Sequence, residues 1–341
     1  MRRDHTDVLI IGGGPAGGAA AITCAKEGLR VILVEREVFG RERPGETLHP
    51  GTEPLLQRLG LADALTAAAS IRHTGIWLEW NAQRRFEAFG GSNDNPWHGF
   101  QVWRSLFDSL VLTQAQRLGV DIRQPCMALS PLVANGVVMG AQTDTGHISA
   151  PIVIDASGHR RLFARKFALP ISRHSPPLVA RYGYIEGSYP AGDDAPRFTA
   201  NRLGWTWRAK VRPDIYQWTH LPFVKEKMGV RWRPEEFRGL ALSAKTRGAD
   251  VTWRLLDQAA GPAWFVVGDA AATLDPASSH GVLRAIMSGM LAARLAFGIL
   301  RRHMPHHAAA TAYQTWLQDG FYNDLNRLRQ FYRDLGAENF T

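Results

Sequence analysis

The 341-residue chain has 45% apolar and 21% charged side chains, a balance that favours a globular protein with room for two domains. Its net charge of +9 comes mostly from arginines spread along the chain, and no nucleic-acid motif accompanies them, so we expect no nucleic-acid partner. The charge indicates either a solvated basic surface or an acidic peptide or protein as partner.

The cysteine spacing and the length of the apolar runs predict the cellular compartment and whether the chain binds a metal. Cys24 and Cys126 have neither a C-x-x-C nor a metal-ligand spacing, so we expect buried thiols, a reducing compartment and no metal. No apolar run has the length of a signal peptide or a membrane span, so we expect a cytoplasmic protein without a membrane partner.

The first 35 residues follow a pattern typical of a dinucleotide-binding unit. An apolar strand is followed by a G-x-G-x-x-G turn of Gly12, Gly14 and Gly17, and then by a small-residue helix. A second apolar strand ends on Glu35, which can accept hydrogen bonds from a ribose and would repel a 2′-phosphate. Gly12 permits the tight turn, Gly14 lets a pyrophosphate approach the backbone, and Gly17 lets the helix pack close to the strand. The helix N-terminus offers N–H groups to the phosphates.

A loop, a helix and two strands are expected next. Residues 41–51 contain two prolines and two glycines, which predicts a loop that returns towards the cofactor. Apolar spacing predicts a helix over 52–69. Two strands are expected at 76–80 and 85–89, and a polar loop at 90–99.

A second helix is expected over 102–118, and a β-meander follows it. Arg104 lies in the first turn of this helix, where the helix dipole disfavours a cation, so we expect a ligand or a buried partner for it. Residues 120–154 predict consecutive strands with turns at 135–136 and 145–146.

Residues 170–262 are aromatic and β-rich, with candidate strands at 179–185, 198–210 and 215–221. This change of character divides the chain into a cofactor domain, a substrate domain inserted into it, and C-terminal helices. The predicted domains are 1–69, 101–170 and 262–300 for the cofactor, 70–100 and 171–261 for the substrate, and 301–341 for the C-terminal helices.

The last apolar strand ends on Gly268 and Asp269, at the carboxyl edge where ligands bind in α/β sheets. Asp269 can accept a hydrogen bond from a polyol hydroxyl. Gly281 and Val282 begin the next helix, and their N–H groups can stabilise negative charge on a bound ring. Residues 305–341 are expected to form an amphipathic packing helix.

Four motifs, in this chain order, resemble the α/β fold of single-component aromatic hydroxylases and flavin-dependent halogenases. They are Gly12-x-Gly14-x-x-Gly17 with Glu35, Val102-x-Arg104-x-x-Phe107-Asp108, Asp155-Ala-Ser-Gly158 and Gly268-Asp269. The resemblance implies a glutathione-reductase-type, Rossmann-like FAD-binding domain with an inserted β-rich substrate domain and C-terminal helices.

The same resemblance implies positions for FAD. Asp269 would bind the ribityl chain, Arg104 would lie beside the flavin or its phosphates, and the adenine would lie near Met127. The segment from Asp275 to Gly281 would lie against the isoalloxazine ring. The residues expected to contact FAD are Gly12, Gly14, Pro15, Ala16, Gly17, Glu35, Arg36, Arg104, Met127, Asp269, Pro276, Gly281 and Val282.

Two further segments resemble the halogenases, but residues that their chemistry needs are missing. Residues 44–50 resemble the G-E-S/T-x-x-P loop, and 205–207 resemble the start of the W-x-W-x-I-P box. Those halogenases use a lysine downstream of the loop, whereas this chain has no lysine between Lys26 and Lys166. Ser278 stands where they carry a glutamate. We therefore expect an oxidoreductase that does not halogenate.

Residues 268–289 resemble the flavoproteins that mature cysteine tryptophylquinone enzymes, namely quinone-dependent amino-acid oxidases and quinohemoprotein amine dehydrogenase. This resemblance implies an FAD-dependent monooxygenase that uses O2 and a nicotinamide or reductase electron donor to hydroxylate a tryptophan in a precursor protein. Trp205 and Trp207 are expected to offer planar faces to that indole.

Three residues are candidates for proton handling near the ring: His280 first, then Glu46 and His49. Each could equally be a structural hydrogen-bonding group. Three other functions remain open: a small-molecule aromatic hydroxylase, a flavin oxidoreductase of the geranylgeranyl-reductase type, and a non-catalytic chaperone for a quinoprotein precursor.

Overall fold

The computed structural model describes residues 2–40, 43–67, 71–80, 83–92, 94–187, 194–224, 228–337 and 340. Within these ranges the fold is mixed α/β, as predicted. The described strands of the central sheet are parallel except at one edge, and their apolar residues are buried on both faces, as is usual in parallel sheets. In spatial order they are Asp121–Arg123, Val31–Val34, Val8–Ile11, Ile152–Asp155, Trp264–Val266 and Ala260–Gly261.

The predicted helices are present except for a break between 52 and 69, and the short helix Leu162–Lys166 is not among the predicted ones. Gly60 has a φ of 76° and ends a helix at Leu59, so the prediction of one continuous helix over 52–69 is wrong. Residues 68 and 69 lie outside the described residues. The helices in the described ranges are α1 Pro15–Lys26, α2 Glu53–Leu59, α3 Ala62–Ala67, α4 Arg104–Arg117, α5 Leu162–Lys166, α6 Gly281–Arg302 and α7 His306–Asp334.

The predicted meander over 120–154 is confirmed. Ala128–Ala134, Val137–Thr143 and Gly146–Ser149 pair antiparallel in succession and are joined at the two predicted turns. The N-terminal strand Arg2–His5 adds to this sheet in parallel beside Gly146–Ser149.

A second large sheet, here called the roof sheet, draws strands from both segments assigned to the substrate domain. Its described strands, in spatial order, are Ala241–Leu242, Val179–Glu186, Ile215–Pro222, Gly204–Arg212, Arg197–Asn201, Gly75–Trp80 and Gln83–Ala88, with Arg247–Asp250 also paired to Val179–Glu186. The predicted strand over 198–210 is two strands, because a turn at 202–203 separates them and Asn201 Oδ1 accepts the Leu203 N–H at 2.8 Å. Residues 81 and 82, which lie between the strands predicted at 76–80 and 85–89, are outside the described residues.

Small sheets lie between the two large ones. They are Thr47–Leu48 with Gly99–Gln101 and Ile71–His73, Ile171–Arg173 with Arg254–Leu256 and Ala272–Thr273, and the hairpin of Gly91–Ser92 and Asn95–Pro96. The prediction of a plain loop over 90–99 is therefore wrong. Single 3₁₀ turns lie at Pro50–Thr52, Gly158–Arg160, Glu235–Phe237, Gly268–Ala270 and Pro276–Ser278.

Helix α6 corrects one expectation drawn from the sequence. It is long and apolar enough to cross a bilayer, although no such run was expected, and half of its most apolar window is buried inside the protein. It packs closely against α1, because a Cβ on Gly289 would lie 2.1 Å from the Ala16 carbonyl oxygen. The two cysteines, Cys24 in α1 and Cys126, are buried free thiols, as predicted.

Replacing Gly289 by alanine is expected to destabilise the fold, because there is no room for a Cβ between α6 and α1. The clash should lower the free energy of unfolding by about 1–3 kcal/mol, measured by urea denaturation. Gly298→Ala is the matched control on the same helix, because the atom nearest to its Cβ is Met304 Sδ at 3.4 Å. Alanine should maintain or raise the stability there. Equal stabilities of the two variants would contradict the close packing of α1 and α6.

Candidate active site

The glycine turn is packed against backbone at two of its glycines and open at the third. Gly12 has a φ of 105°, and a Cβ there would lie 2.4 Å from the Ala156 carbonyl oxygen. A Cβ on Gly17 would lie 1.9 Å from the Gly12 carbonyl oxygen, so this glycine lets α1 begin against the turn. A Cβ on Gly14 would meet nothing within 4 Å. The space in front of the α1 N-terminus can therefore admit a ligand.

Glu35 fastens the glycine turn to the end of the second strand. Its side chain is buried, Oε2 accepts the Gly13 N–H at 2.8 Å, and Oε1 accepts the Glu37 N–H at 3.0 Å. Arg36 Nη2 pairs with Glu37 Oε1 at 3.1 Å. The carboxylate is thus held in place beside the turn, where carboxylate oxygens can accept a hydrogen bond from a ribose hydroxyl.

The glycine turn opens into a cavity of about 640 Å³ that is lined by both large sheets. Its volume lies in the range of small-molecule and cofactor sites. The sequence-predicted residues that line it are Gly12, Gly14, Pro15, Ala16, Glu35, Arg36, Glu46, His49, Arg104, Asp269, Pro276, Gly281 and Val282. Gly17, Met127 and His280 are not part of its lining.

The wall near the expected adenine position is formed by the neighbours of Met127. Cys126 and Ala128 line the cavity, while the Met127 backbone N–H donates to Asp144 Oδ1 at 2.9 Å. Because successive residues of an extended chain point to opposite sides, the Met127 side chain points away from the cavity. The adenine position near Met127 stays a prediction, and Cys126 and Ala128 are the residues of this segment that line the cavity.

Arg104 has the buried partner that its position predicts. Its Nε and Nη2 donate to the two carboxylate oxygens of Asp108 at 3.2 Å, and its Nη1 donates to the Pro44 carbonyl at 2.8 Å. The Asp108 charge one turn later offsets the unfavourable dipole at the start of α4. Arg104 thereby anchors the loop that carries Glu46 and His49 to the cavity wall.

The segment from 268 to 282 forms the cavity wall next to the first turn of α1. The Ser288 hydroxyl accepts the Gly268 N–H at 3.0 Å and fixes the 3₁₀ turn that carries Asp269. The Asp269 side chain is 47% exposed, with His159 Nε2 at 3.7 Å, so its carboxylate can accept a ligand hydroxyl. Gly281 begins α6 at the cavity, where its N–H can face a bound ring.

Asp275 is a buried carboxyl in the cavity wall whose distant partners are not apparent from the sequence. Its Oδ2 accepts from Trp253 Nε1 and from the Tyr332 hydroxyl, both at 2.8 Å, and its Oδ1 accepts the Ala277 N–H. Burial raises the pKa of Asp275 to about 6. The Asp-Pro sequence predicts the turn, but Tyr332 lies 57 residues away on α7 and no local signal identifies it.

Glu46 lies in the cavity wall and is only 2% exposed. Its Oε1 accepts from the Tyr184 hydroxyl on the roof sheet, and its Oε2 accepts the Gly45 N–H at 2.8 Å. Burial raises the pKa of Glu46 to about 7, against the lowering effect of the Tyr184 hydrogen bond and of the Arg104 charge. The carboxyl can therefore gain or lose a proton near neutral pH.

The two histidine candidates differ in where they face. His49 lines the large cavity, its Nδ1 accepts the Gly51 N–H at 3.0 Å, and burial and His280 lower its pKa. The His280 ring meets the His49 ring edge to face, with centroids 5.0 Å apart, but it lines a small pocket of about 60 Å³ that adjoins the large cavity. His280 Nδ1 is bound to Asp324 Oδ1 at 3.0 Å. The geometry therefore favours Glu46 and His49 over His280, the first choice from the sequence.

The tryptophans of the W-x-W segment lie on the same face of the roof sheet, because they are two residues apart in a regular strand, but their surroundings differ. Trp207 lines the cavity, whereas Trp205 is fully buried and its Nε1 donates to the Tyr332 hydroxyl at 2.8 Å. The expectation that Trp205 offers a face to a substrate is therefore wrong. Ser278 lines the small pocket instead of the large cavity.

The glycine turn with Glu35, facing Asp269 and the α6 N-terminus, defines an FAD-dependent oxidoreductase. Residues 7–166 match the FAD dependent oxidoreductase family model, and residues 92–332 match the Tryptophan halogenase family model. The chain belongs to the tryptophan halogenase family, and FAD is its cofactor. This confirms the expected fold, enzyme class and cofactor at the level of the family.

Three relatives illustrate the likeness. A tryptophan 2-halogenase of Chondromyces crocatus is 28% identical, covering 96% of this chain and 68% of the relative. A 1H-pyrrole-2-carbonyl-[peptidyl-carrier protein] brominase of Pseudoalteromonas luteoviolacea is 28% identical, covering 84% and 76%. The structure of the myxobacterial chondrochloren halogenase CndH superposes with a TM-score of 0.88 at 24% identity, covering 96% and 83%. The curated relatives support the family, and the structural match supports the fold.

The cavity residues fit FAD. The open face of Gly14 and the α1 N-terminus suit a pyrophosphate, Glu35 suits a ribose, and Asp269 suits a ribityl hydroxyl. Bound there, reduced FAD and O2 supply an electrophilic oxygen. Among the described residues no group of three His, Cys, Asp or Glu side chains could hold a metal ion.

Gly14→Val is expected to lose FAD while the fold persists. Its side chain meets no protein atom but enters the space in front of the α1 N-terminus, so it blocks the pyrophosphate. The flavin absorbance after reconstitution should fall, and the melting temperature of the apoprotein should stay near that of the wild type. Gly229→Val is the matched control, because its Cβ is also in open space but away from the cavity. Normal FAD binding by Gly14→Val would contradict the assignment.

The stability of the apoprotein should fall as the pH rises from about 4.5 to 7. In this window the unfolded chain releases the Glu46 proton while the folded protein, whose carboxyl has a pKa of about 7, still holds it. The loss attributable to Glu46 should approach about 3 kcal/mol, measured as the difference between wild type and Glu46→Gln in denaturation at several pH values. Glu53→Gln is the control outside the cavity. A pH-independent difference would contradict a neutral buried carboxyl.

Proposed function

We propose that the protein is an FAD-dependent monooxygenase that hydroxylates a tryptophan side chain of a partner polypeptide during tryptophylquinone biogenesis. The observation that carries the proposal is the buried Glu46 carboxyl in the cavity wall, which has a pKa of about 7 and the Tyr184 hydroxyl as partner. A carboxyl that titrates near neutral pH can exchange a proton with a reacting ring.

Hydroxylation replaces a ring C–H bond by a C–O bond. One atom of O2 enters the ring and the other leaves as water. Two electrons are needed, which a nicotinamide donor or a reductase delivers through FAD. Glu46 accepts the proton that the ring carbon loses, and the Tyr184 hydrogen bond orients the carboxyl for this transfer. His49, whose pKa is lowered by burial, is a second acceptor in the same wall.

The composition of the cavity wall argues against halogenation, although the family is named for it. No lysine is found among the described residues that line the cavity, and Ser278 faces the small pocket. The lysine that the resemblance requires for handling hypohalous acid therefore has no counterpart in this wall. This supports a reaction that transfers oxygen.

A polypeptide substrate is supported by the family and by the charge. One relative acts on a pyrrole group tethered to a peptidyl-carrier protein, so a protein-borne aromatic ring is within the family's range. The net charge of +9 favours an acidic partner. Trp207 and Tyr182, which line the cavity from the roof sheet, provide aromatic faces on which an indole can stack.

A second candidate is hydroxylation of a free small aromatic molecule. The aromatic faces of Trp207 and Tyr182 favour it, because they can stack on a free ring as well as on a ring borne by a polypeptide. The two candidates differ in where binding energy arises, since a polypeptide also binds through contacts outside the cavity.

A tryptophylquinone-enzyme precursor with its unmodified tryptophan should gain one or two oxygen atoms on that residue, located by tandem mass spectrometry. The gain should require FAD, a reductant and O2. Glu46→Gln should slow it by about 10²-fold or more, because a positioned acid–base group contributes 10²–10⁴-fold. Glu53→Gln should leave it unchanged, and free tryptophan should react poorly.

Several results would overturn the proposal. A chlorine or bromine isotope pattern on the product in the presence of halide would identify a halogenase. Reduction of a substrate double bond without uptake of O2 would identify a reductase. Efficient hydroxylation of a free phenol or indole, with the precursor unchanged, would favour the small-molecule hydroxylase.

A further inference from the structure

The strand Gln83–Ala88 is an edge of the roof sheet, and all six of its residues are exposed. It pairs with Gly75–Trp80 on one side. On the other side, no strand of the described residues pairs with it. An open edge of this length is a template for adding another extended chain.

The register shows which backbone groups of this edge strand face outward. The Phe89 N–H donates to the Thr74 carbonyl at 2.9 Å, so positions 74 and 89 form a hydrogen-bonded pair. In an antiparallel ladder such pairs alternate, so residues 83, 85 and 87 bond inward to Gly75–Trp80. The N–H and C=O groups of Arg84, Phe86 and Ala88 therefore point away from the sheet.

The same register connects this edge to the cavity. Ile76 lines the cavity and pairs with Glu87, so Glu87 lies on the underside of the roof sheet, the side that faces the cavity. Phe89, two residues further on, also lines the cavity. A strand added along the open edge would alternate in the same way, and every second side chain would point beneath the roof towards the cavity.

The side chains on the outer face of the edge strand indicate which residue types the added chain carries. Arg84 lies over the Trp77 ring, 4.0 Å from its centroid, and Phe86 meets the same ring while remaining 41% exposed. Cross-strand neighbours prefer opposite charge and apolar contact, so the occupant carries an acidic residue opposite Arg84 and an apolar residue opposite Phe86. The net charge of +9 agrees with an acidic occupant.

We propose that the open edge of Gln83–Ala88 docks an extended acidic segment of the substrate polypeptide, which adds to the roof sheet as a further strand and directs its tryptophan under the roof into the cavity. This inference rests on the proposed function, since it names how that substrate binds. Main-chain hydrogen bonds supply the affinity, and the alternation of side chains supplies the choice of residue that enters.

The direct test is amide hydrogen exchange with an unmodified tryptophylquinone-enzyme precursor as the probe. Adding the precursor should slow exchange at Arg84, Phe86 and Ala88, whose N–H groups point outward. The inward amides of Arg85 and Glu87 are the internal control, because they are already bonded and should change little. Unchanged exchange at the three outward amides in the presence of bound precursor would overturn the proposal.

A proline substitution tests the contribution of the backbone N–H to binding separately from that of the side chain. Phe86→Pro removes an outward N–H and leaves the inward ladder intact, since proline is tolerated on the free side of edge strands. It should weaken precursor binding by about tenfold or more, because a backbone hydrogen bond is lost and neighbouring ones are blocked. FAD binding should not change. Phe86→Ala, which keeps the N–H, should weaken binding less. Arg84→Pro is the second variant, on the same outward register.

The outcomes distinguish the docking site from the reaction. If both proline variants bind the precursor as tightly as the wild type, or if the wild type does not bind it, the docking proposal fails. If exchange and affinity behave as expected but the precursor gains no oxygen, docking stands and the proposed function fails. A wild-type dimer that Phe86→Pro converts to a monomer would show that the edge pairs with a second copy, which would also overturn the proposal.

Discussion

The close approach of α1 and α6 is the constraint on which the site depends. A Cβ on Gly289 would lie 2.1 Å from the Ala16 carbonyl oxygen, and a Cβ on Gly268 would lie 2.9 Å from the Ala16 Cβ. These contacts bring the segment around Asp269 beside the first turn of α1, although more than 250 residues separate them. Without glycine at these positions the two helices would separate, and the phosphate-binding and ring-binding walls of one cavity would no longer face each other.

Burial of ionisable groups in the cavity wall is the second organising feature. Arg104 and Asp108 form a buried bidentate salt bridge, which limits the free-energy cost of removing both charges from water. Among the described residues no cation forms an ion pair with Glu46 or Asp275, and hydroxyl, indole and backbone groups donate hydrogen bonds to their carboxyls instead. Their raised pKa values are the consequence, and at Glu46 this yields a proton-exchanging group where a substrate ring would lie.

Features encoded by neighbouring residues could be predicted from the sequence, and features encoded by distant pairs could not. The glycine turn, the meander and the partner of Arg104 depend on spacings of a few residues, so periodicity and turn chemistry identify them. The contact of Glu46 with Tyr184 spans 138 residues and depends on how the roof sheet covers the loop, which no local pattern records. Strand parity places Trp205 and Trp207 on the same face, and only the contact of Trp205 with Tyr332, 127 residues away, distinguishes the core position from the cavity position.

The two large sheets provide different parts of the cavity wall. In the proposed reaction the central sheet and its glycine turn would hold FAD, whereas the underside of the roof sheet, with Trp207 and Tyr182 in the cavity wall, would contact the substrate ring. Changes on the roof can therefore alter the substrate without altering the cofactor site. A roof with an open edge can also extend its own hydrogen-bond pattern into a bound chain. Binding by such an edge places no demand on the cavity volume, since only the indole has to enter beneath the sheet.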